Sequence, residues 1–268
     1  MHAVAMTTTY QITTQPGRLA SIGEGRARNA TVSVVIAAMN EAENLPHVFA
    51  TLPRWIDEVV LVDGNSADDT VAVARSLRPG LRVVVQTGRG KGNALTEGFA
   101  AATGDIIVMM DADGSTDGRE IGRFVSALTT GADFAKGSRY ASGGDSDDLS
   151  PVRSIGNRAL TAITNLLFGT RYTDLCYGYN AFWARHLDAL GLDCDGFEIE
   201  TLMNVRAARA GLIIHEVPSH ERSRIHGESN LRATRDGWRV LKTILRERVR
   251  RAMPAPAATV NPVGRIAA

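Results

Sequence analysis

Residues 104–118, GDIIVMMDADGSTDG, are the stretch of this 268-residue chain from which the fold can be inferred. Five consecutive apolar residues at positions 106–110 lie between turn-forming residues. Such a run is typical of a strand that is buried on both faces, as in a parallel sheet covered by helices. The strand then ends at Asp111-Ala112-Asp113, a D-x-D pair at its carboxyl end, which is the edge where open α/β sheets bind ligands.

The paired carboxylates of Asp111 and Asp113 predict a site for a hard divalent cation. Carboxylate oxygens are ligands that Mg²⁺ and Mn²⁺ prefer, and one or two of them suffice when substrate phosphates complete the coordination shell. A structural role is the alternative, because aspartates also cap helices and close turns. The context of the pair in the rest of the chain must decide between the two interpretations.

Strands and helices alternate along most of the chain. Besides the strand before the D-x-D pair, strands are predicted at residues 31–37, 58–62, 81–86, 133–137 and 212–217. Helices are predicted from the loop after the first strand through Leu52, and at residues 68–77, 93–102, 121–128, 152–168, 197–210 and 231–249. This alternation predicts an α/β fold with a doubly wound, mainly parallel sheet, right-handed crossovers and helices on both faces.

The composition is that of an ordinary globular protein, with 44% hydrophobic and 22% charged residues. A net charge of +1 excludes an electrostatic attraction of the whole protein to nucleic acid. The two cysteines give neither a metal-ligand spacing nor a disulfide framework. The first 30 residues lack the apolar core of a secretory signal, and no apolar run approaches the roughly 18 to 20 residues of a membrane span. We therefore expect a soluble, cytoplasmic protein that at most attaches peripherally to the cytoplasmic face of a membrane.

The chain divides into four predicted parts. Residues 1–30 are rich in Thr, Gly, Arg and Ala without periodicity and are expected to be a mobile extension. Residues 31–230 are expected to form the α/β domain, residues 231–253 a basic amphipathic helix, and residues 254–268 a disordered tail. The sequence leaves open whether the protein forms a homodimer.

Acidic residues follow three of the predicted strands. Glu41 follows the first strand, Asp63 ends the second, and the D-x-D pair ends the strand at residues 106–110. Because the carboxyl ends of parallel strands meet at one edge, these acids are expected to surround one polar pocket for a nucleotide and a metal ion. Residues 90–92, GKG, are expected to form a flexible basic loop in which N–H groups and Lys91 face phosphate oxygens. Each feature alone is also typical of a helix cap or a solvated turn.

Taken together and in order, these motifs resemble those of family 2 glycosyltransferases with the GT-A fold. The closer resemblance is to the dolichyl- or polyprenyl-phosphate sugar synthases, the dolichol-phosphate mannosyltransferase type. The similarity covers residues 31–230 and includes further motifs. These are Asn40-Glu41, the turn at residues 66–70, Gly137-Ser138-Arg139-Tyr140, Thr173-Asp174 with Gly178-Tyr179, Gly196-Phe197-Glu198 and Glu216-Val217-Pro218.

The resemblance implies a GT-A fold with a Rossmann-like sheet and a metal-dependent transfer of a hexose, with inversion, from GDP-mannose or a UDP-hexose. It also implies that Asp111 and Asp113 hold Mg²⁺ or Mn²⁺ on the donor diphosphate. The residues implied at the donor are Asn40, Glu41, Asp63, Lys91, Asp111, Ala112, Arg222 and Ser229. The residues implied in catalysis are Asp113, Glu198, Glu200 and Arg139, with Arg139 near the phosphates.

The acceptor that the resemblance implies is a polyprenyl phosphate, which is an anion at neutral pH and needs little help from a general base. An alcohol acceptor would need a carboxylate base, for which Glu198 and Glu200 are the candidates unless they are exposed acids at a helix start. Asp174 is a further candidate for contact with the acceptor. The alternatives are a soluble small-molecule acceptor and a non-catalytic module that binds a nucleotide sugar.

The predicted C-terminal helix bears on the choice of acceptor. Trp238 and Leu241 lie near one helical face, and basic residues are abundant around them. One interpretation is an interfacial helix whose apolar side chains contact acyl chains while its cations contact anionic headgroups. The other is a helix that packs on the domain and exposes a solvated basic face.

Overall fold

The computed structural model describes residues 30–229 and 231–250, so the predicted tail and nearly all of the predicted N-terminal extension lie outside the described residues. Its centre is a seven-stranded sheet with the strand order β3-β2-β1-β4-β7-β5-β8. The strands of this sheet are β1 (Val32–Ala38), β2 (Glu58–Asp63), β3 (Arg82–Val85), β4 (Ile106–Asp111), β5 (Phe134–Ser138), β7 (Asn180–Trp183) and β8 (Ile214–Pro218). Two short strands, β6 (Asp145–Ser146) and β9 (His220–Glu221), pair with each other.

Eight α-helices are found in the described residues. They are α1 (Leu45–Thr51), α2 (Thr70–Leu77), α3 (Gly90–Ala101), α4 (Ile121–Thr129), α5 (Pro151–Phe168), α6 (Leu187–Leu190), α7 (Ile199–Arg209) and α8 (Ala233–Val249). Short 3₁₀ turns lie at Gly118–Glu120 and Ala184–His186. No helix of the described part of the chain is long and apolar enough to cross a bilayer.

The core consists of two layers, one on each face of the sheet. Val34 and Ile36 of β1 face a layer that includes residues of α1, α2 and α4. Val35, which points to the opposite face, packs in a layer with residues of α3 and α7. Helices therefore cover both faces, and the predicted α/β fold with a mainly parallel sheet is confirmed.

The register of the central strands brings their carboxyl ends to one edge. Strand β1 is parallel to both neighbours, with Ala38 opposite Asp63 of β2 and Ala37 opposite Asp111 of β4. The buried apolar runs of these strands end together, and the chain becomes polar at the same level of the sheet. This edge is where the site is found.

Two local predictions are wrong. Gly90, Lys91 and Gly92 are not a flexible loop but the first turn of α3, because the backbone at both glycines packs against the carbonyls of Cys194 and Asp195. Strand β7 was also not predicted. It lies antiparallel between β4 and β5, and its place is determined by pairing with residues distant in the sequence.

The C-terminal helix α8 packs against α5 and α7. Its buried Glu247 accepts hydrogen bonds from Arg206 at 2.9 Å and Arg209 at 2.7 Å, both on α7. Burial disfavours the charge of Glu247, but these arginines outweigh it and lower its pKa. Buried ion pairs thus connect α8 to the rest of the fold, as the packed-helix interpretation requires, while Trp238 and Leu245 remain exposed.

Candidate active site

A cavity of about 660 Å³ opens at the carboxyl edge of the sheet. The end of β4, the first turn of α3, the start of α7 and a segment at residues 222–227 contribute its polar wall. The charged residues of this wall include Asp111, Asp113, Lys91, Glu200 and Arg224. Both aspartates of the D-x-D pair thus face the same enclosed space as two cations.

Lys91 bridges Asp111 and Glu200. Its Nζ lies 2.6 Å from Asp111 Oδ1 and 2.8 Å from Glu200 Oε1. Burial disfavours the charge of Lys91, but the two carboxylates outweigh burial and raise the pKa of Lys91 above its ordinary value. Burial also raises the pKa of Glu200, against the opposing effect of Lys91. Glu200 is therefore a buried acid of the cavity, and the alternative of an exposed acid at a helix start is wrong for it.

Because Gly178 has no side chain, there is room beside it for the charged groups of Lys91, Asp111 and Glu200. A Cβ atom at position 178 would lie 2.9 Å from Asp111 Oδ2, 3.0 Å from Lys91 Nζ and 3.4 Å from Glu200 Oε1. The first two distances are shorter than almost all real Cβ contacts, so any side chain here would displace the charged groups. The absence of a side chain lets the backbone approach the cluster closely.

Arg224 bridges Asp113 and Glu41. Its Nη1 lies 2.9 Å from Glu41 Oε1, and its Nη2 lies 3.2 Å from Asp113 Oδ2. Burial disfavours the charge of Arg224, but the hydrogen bond to Glu41 and the charges of both acids outweigh it and raise the pKa of Arg224. The other oxygen of Asp113 accepts hydrogen bonds from the N–H and the hydroxyl of Ser115, at 3.0 and 2.6 Å. Asp113 therefore closes a turn and faces the cavity at the same time.

The segment at residues 222–227 crosses in front of the D-x-D pair. The N–H of Ile225 donates to the carbonyl of Asp113 at 3.2 Å. The backbone of His226 exchanges two hydrogen bonds with the side chain of Asn44, at 2.9 and 3.1 Å. The segment is thereby tied to the end of β4 on one side and to the start of α1 on the other.

Arg139 belongs to a separate buried cluster that borders the cavity. Its Nε lies 2.7 Å from Asp174 Oδ2, its Nη1 lies 3.0 Å from Glu221 Oε2, and its guanidinium lies over the ring of Tyr177. Burial opposes the charges of this pair, but their mutual attraction raises the pKa of Arg139 and lowers the pKa of Asp174. Asp174 is buried and also accepts a hydrogen bond from the side-chain amide of Asn157. It does not line the cavity, so the structure does not place it in contact with an acceptor there.

Asn40 and Asp63 hold the loops that follow β1 and β2. The side-chain oxygen of Asn40 accepts a hydrogen bond from the N–H of Ala67 at 2.7 Å, and its backbone has a positive φ of 58°. The carboxylate of Asp63 accepts a hydrogen bond from the N–H of Ser66 at 3.3 Å. Neither residue lines the cavity, although Gly64, next to Asp63, does.

The remaining predicted residues differ in their positions. Ala112 and Ser229 line the cavity. Arg222 does not, because its Nη2 lies 2.9 Å from Asp117 Oδ2 in a partly exposed ion pair. Glu198 is half-buried, and one of its oxygens is enclosed without a hydrogen-bond partner among the described residues.

The sequence predicts Arg222 at the donor, whereas the structure brings Arg224 to the D-x-D pair. The two arginines are separated by one residue in an irregular segment, so no periodicity shows which of them faces the sheet edge. The sequence does indicate that this loop contains two cations, either of which could contact a phosphate. Only the hydrogen bonds of the segment to the D-x-D turn determine that Arg224 is directed at the pair.

Asp111 and Asp113 are the residues that fit a divalent cation, because they present hard oxygen ligands to one cavity. Within residues 30–229 and 231–250, no group of three or more His, Cys, Asp and Glu side chains could hold a metal ion by itself. A cation at the pair would take its other ligands from substrate phosphates or water. Lys91 and Arg224 balance the charge of the pair in this structure.

The cavity continues between α5 and α8 with a different chemical character. Its lining there comes from both helices and combines apolar with polar residues. The apolar ones and glycines are Val152, Gly156 and Leu160 of α5 and Ala233, Gly237 and Val240 of α8, and the polar ones are Arg153, Asn157, Thr234 and Asp236. One cavity therefore has a charged end at the sheet and a partly apolar end between two helices.

Comparison with known proteins identifies relatives for most of the chain. Residues 33–191 match the model of glycosyl transferase family 2. The chain is 31% identical over 214 residues to glycosyltransferase AglJ of Haloferax volcanii, covering 77% of this chain and 68% of AglJ. It is 33% identical over 212 residues to the undecaprenyl-phosphate mannosyltransferase of Micrococcus luteus, covering 75% of this chain and 87% of that protein. The matched parts span only 58% and 59% of two longer relatives.

A solved structure is similar over the same region. Glucosyl-3-phosphoglycerate synthase from Mycobacterium tuberculosis, in complex with Mn²⁺, UDP and glucosyl-3-phosphoglycerate, matches with a TM-score of 0.68 and 26% identity. The match covers 88% of this chain and 86% of the synthase chain. The family model covers more than half of the sequence, and the fold agrees with the resemblance seen in the motifs. This chain therefore belongs to glycosyl transferase family 2.

Proposed function

We propose that this protein is a metal-dependent glycosyltransferase that transfers a hexose from GDP-mannose or a UDP-hexose to a polyprenyl phosphate. One observation carries the proposal: a single cavity joins the D-x-D pair and its cations to a partly apolar passage between α5 and α8. A nucleotide sugar suits the charged end, and an acceptor with a phosphate head and a hydrocarbon tail suits both ends. The name of the M. luteus relative, an undecaprenyl-phosphate mannosyltransferase, supports this acceptor.

At the donor, Asp111 and Asp113 would hold Mg²⁺ or Mn²⁺, which supplies positive charge to the diphosphate as it leaves. The complex of the M. tuberculosis synthase with Mn²⁺ and UDP supports such a cation. Lys91 and Arg224 would add fixed positive charge next to the pair, since each is already held by a second carboxylate. Inversion at the anomeric carbon stays a prediction from the family resemblance.

At the acceptor, the lipid phosphate is already an anion and can attack the anomeric carbon without a strong base. The cations of Lys91 and Arg139, which line the same cavity, would attract it. The hydrocarbon chain would leave the site between α5 and α8, away from the polar wall. We place this reaction at the cytoplasmic face of a membrane, because a polyprenyl phosphate resides in the bilayer.

Transfer to a soluble phosphorylated acceptor is the second candidate. The M. tuberculosis structure contains glucosyl-3-phosphoglycerate, a small molecule, and favours this alternative. A hydroxyl acceptor would need a general base, and Glu200 has the raised pKa that suits this role. A module that only binds nucleotide sugars is disfavoured, because both D-x-D aspartates are intact and line the cavity.

The test is a transfer assay with radiolabelled sugar nucleotides and Mn²⁺, with and without a short-chain polyprenyl phosphate, followed by organic extraction. Label in the organic phase that requires both Mn²⁺ and the lipid phosphate supports the proposal and identifies the donor. Label in a water-soluble product formed from 3-phosphoglycerate would instead support the second candidate. Binding of a donor without transfer to either acceptor would contradict both.

A further inference from the structure

We propose that α5 and α8 together form a docking surface for an anionic lipid bilayer, so that the cavity opens at the membrane interface. This surface is hereafter the two-helix face. It consists of the exposed apolar side chains Val152, Ile155, Ala159, Ala162 and Leu166 of α5 and Trp238, Leu245 and Val249 of α8. Docking is independent of the reaction, and only the entry of a lipid acceptor from the bilayer rests on the proposed function.

Helix α5 is apolar on its exposed side as well as on the side that packs against α8. Its buried residues are the polar Asn157, Thr161 and Thr164. Its exposed side chains are apolar except for Arg158, and Ile155 and Leu166 are 70% and 84% exposed. A helix on the surface of a soluble protein normally turns its apolar stripe towards the core and its polar side towards water. The exposed stripe of α5 therefore needs an apolar environment that the described part of the chain does not provide.

Helix α8 adds a second exposed apolar stripe. Trp238, Leu245 and Val249 are 64%, 51% and 82% exposed, and their spacing places them on one side of the helix. The buried residues of α8, among them Val240 and Ile244, lie on the other side. Tryptophan is enriched at membrane interfaces, where its ring is apolar and its N–H reaches water.

The two stripes belong to one surface. The helices lie side by side, with Leu160 and Ile163 of α5 in the same apolar cluster as Val240 and Ile244 of α8. Each helix turns its buried side to the domain, and the exposed stripes lie on the opposite sides. Six large apolar side chains are therefore exposed on one pair of adjacent helices, namely Val152, Ile155, Leu166, Trp238, Leu245 and Val249, and grouped exposed apolar side chains are typical of an interaction surface.

The charges around this area select a bilayer over a second copy of the chain. Helix α5 contains no acidic residue, and the two acids of α8, Asp236 and Glu247, are both buried. Basic residues are exposed on α8, including Arg235, Lys242 and Arg248. A second copy docked on the same surface would bring like charges together, whereas anionic headgroups complement them. Apolar side chains flanked by cations are the pattern of an interfacial helix.

The position of the cavity connects this surface to the site. Val152 and Gly156 of α5 and Gly237 of α8 line the end of the cavity between the two helices, which therefore opens beside the two-helix face. A protein docked there would present the opening to the lipid headgroups. The acceptor phosphate could then enter the cavity while its hydrocarbon chain remains in the bilayer.

Vesicle sedimentation tests the docking directly. The full-length protein is mixed with vesicles of phosphatidylcholine alone or with added phosphatidylglycerol. We expect binding that requires the anionic lipid and weakens with salt. The double variant Ile155→Ser with Leu166→Ser should lower the partition coefficient about tenfold or more, because two apolar contacts are lost. Each of Arg235→Gln and Lys242→Gln should lower it about fivefold.

The matched control is Val85→Ser with Ile213→Ser, which changes two apolar side chains exposed elsewhere on the surface. This control should bind vesicles as the wild type does. Failure of the wild type to bind anionic vesicles, or an equal loss in the control, overturns the docking. A stable dimer in sedimentation velocity that the Ile155→Ser/Leu166→Ser change disrupts, without vesicle binding, assigns the surface to a second copy and also overturns it.

A comparison of acceptors separates this inference from the proposed function. The Ile155→Ser/Leu166→Ser variant should retain transfer to a short, water-soluble polyprenyl phosphate and lose most transfer to a long one embedded in vesicles. If the wild type uses neither acceptor but still binds anionic vesicles, the proposed function fails and the docking stands. If the variant loses transfer to both acceptors equally, the two-helix face acts on the site itself and not on docking.

Discussion

The two aspartates of the D-x-D pair have similar charged neighbours, but different structural elements hold those neighbours in place. Each shares one cation with a second carboxylate. We name these groups the lysine arm, which contains Asp111, Lys91 and Glu200, and the arginine arm, which contains Asp113, Arg224 and Glu41. The similarity shows that the fold supplies counter-charges on both sides of the pair.

The difference lies in the elements that carry the cations. Lys91 is in the first turn of α3, and its partner Glu200 is buried in α7, so regular helices hold the lysine arm. Arg224 is in the irregular segment at residues 222–227, which a few hydrogen bonds hold across the site. We therefore expect the lysine arm to contribute to stability and rate, and the arginine arm to contribute mainly to the binding of the donor.

Removing the charge of one aspartate should have the largest effect, because the proposed metal ion then loses one of its two charged protein ligands. In Asp113→Asn, the side-chain oxygen can still accept the hydrogen bonds of Ser115, so the turn should be retained. We expect kcat/KM to fall about 10²- to 10³-fold. Calorimetry should show weaker binding of Mn²⁺ in the presence of UDP. Transfer at the wild-type rate with unchanged Mn²⁺ dependence would contradict the metal assignment.

Lys91→Met tests two contributions of the lysine arm, one to the free energy of unfolding and one to the rate of sugar transfer. The change leaves Glu200 buried without its cation, which should lower the free energy of unfolding by about 3 kcal/mol. Transfer should fall about 10²-fold. Adding Glu200→Gln should restore much of the stability, as measured by denaturant unfolding, but not the rate. Equal recovery of both quantities would mean that Lys91 acts only through folding.

Arg224→Ala tests whether the arginine arm acts mainly in binding the donor. We expect KM for the sugar nucleotide to rise about 10- to 100-fold with a smaller change in kcat, because a charge-assisted contact is lost. Thermal stability should fall less than in Lys91→Met, since the segment is irregular and partly exposed and Glu41 keeps the hydrogen bond from Asn44. Arg222→Ala is the matched control, because its side chain pairs with Asp117 outside the cavity. An equal effect of the two substitutions would contradict the assignment.

Features determined by local sequence were predictable, and features determined by distant contacts were not. The run at residues 106–110 and the carboxylates after it predicted a buried strand and a site at its end, because a strand and its terminal turn are local. The partner of Lys91 was not predictable, since Glu200 reaches it only through the packing of α7. Strand β7 and Arg224 escaped prediction because pairing across the fold determines their positions.

Gly178→Ala should have the smallest effect and act on the lysine arm alone. The new Cβ would contact the ends of Asp111 and Lys91, which can shift slightly, so the fold should survive while the ion pair is displaced. We expect a loss of about tenfold in kcat, which corresponds to about 1.4 kcal/mol. The control is Gly122→Ala, because a Cβ at this position in α4 meets nothing within 4 Å and should leave transfer unchanged. If Gly178→Ala instead raised KM for the donor without lowering kcat, the lysine arm would share the role assigned to the arginine arm, and the contrast between them would fail.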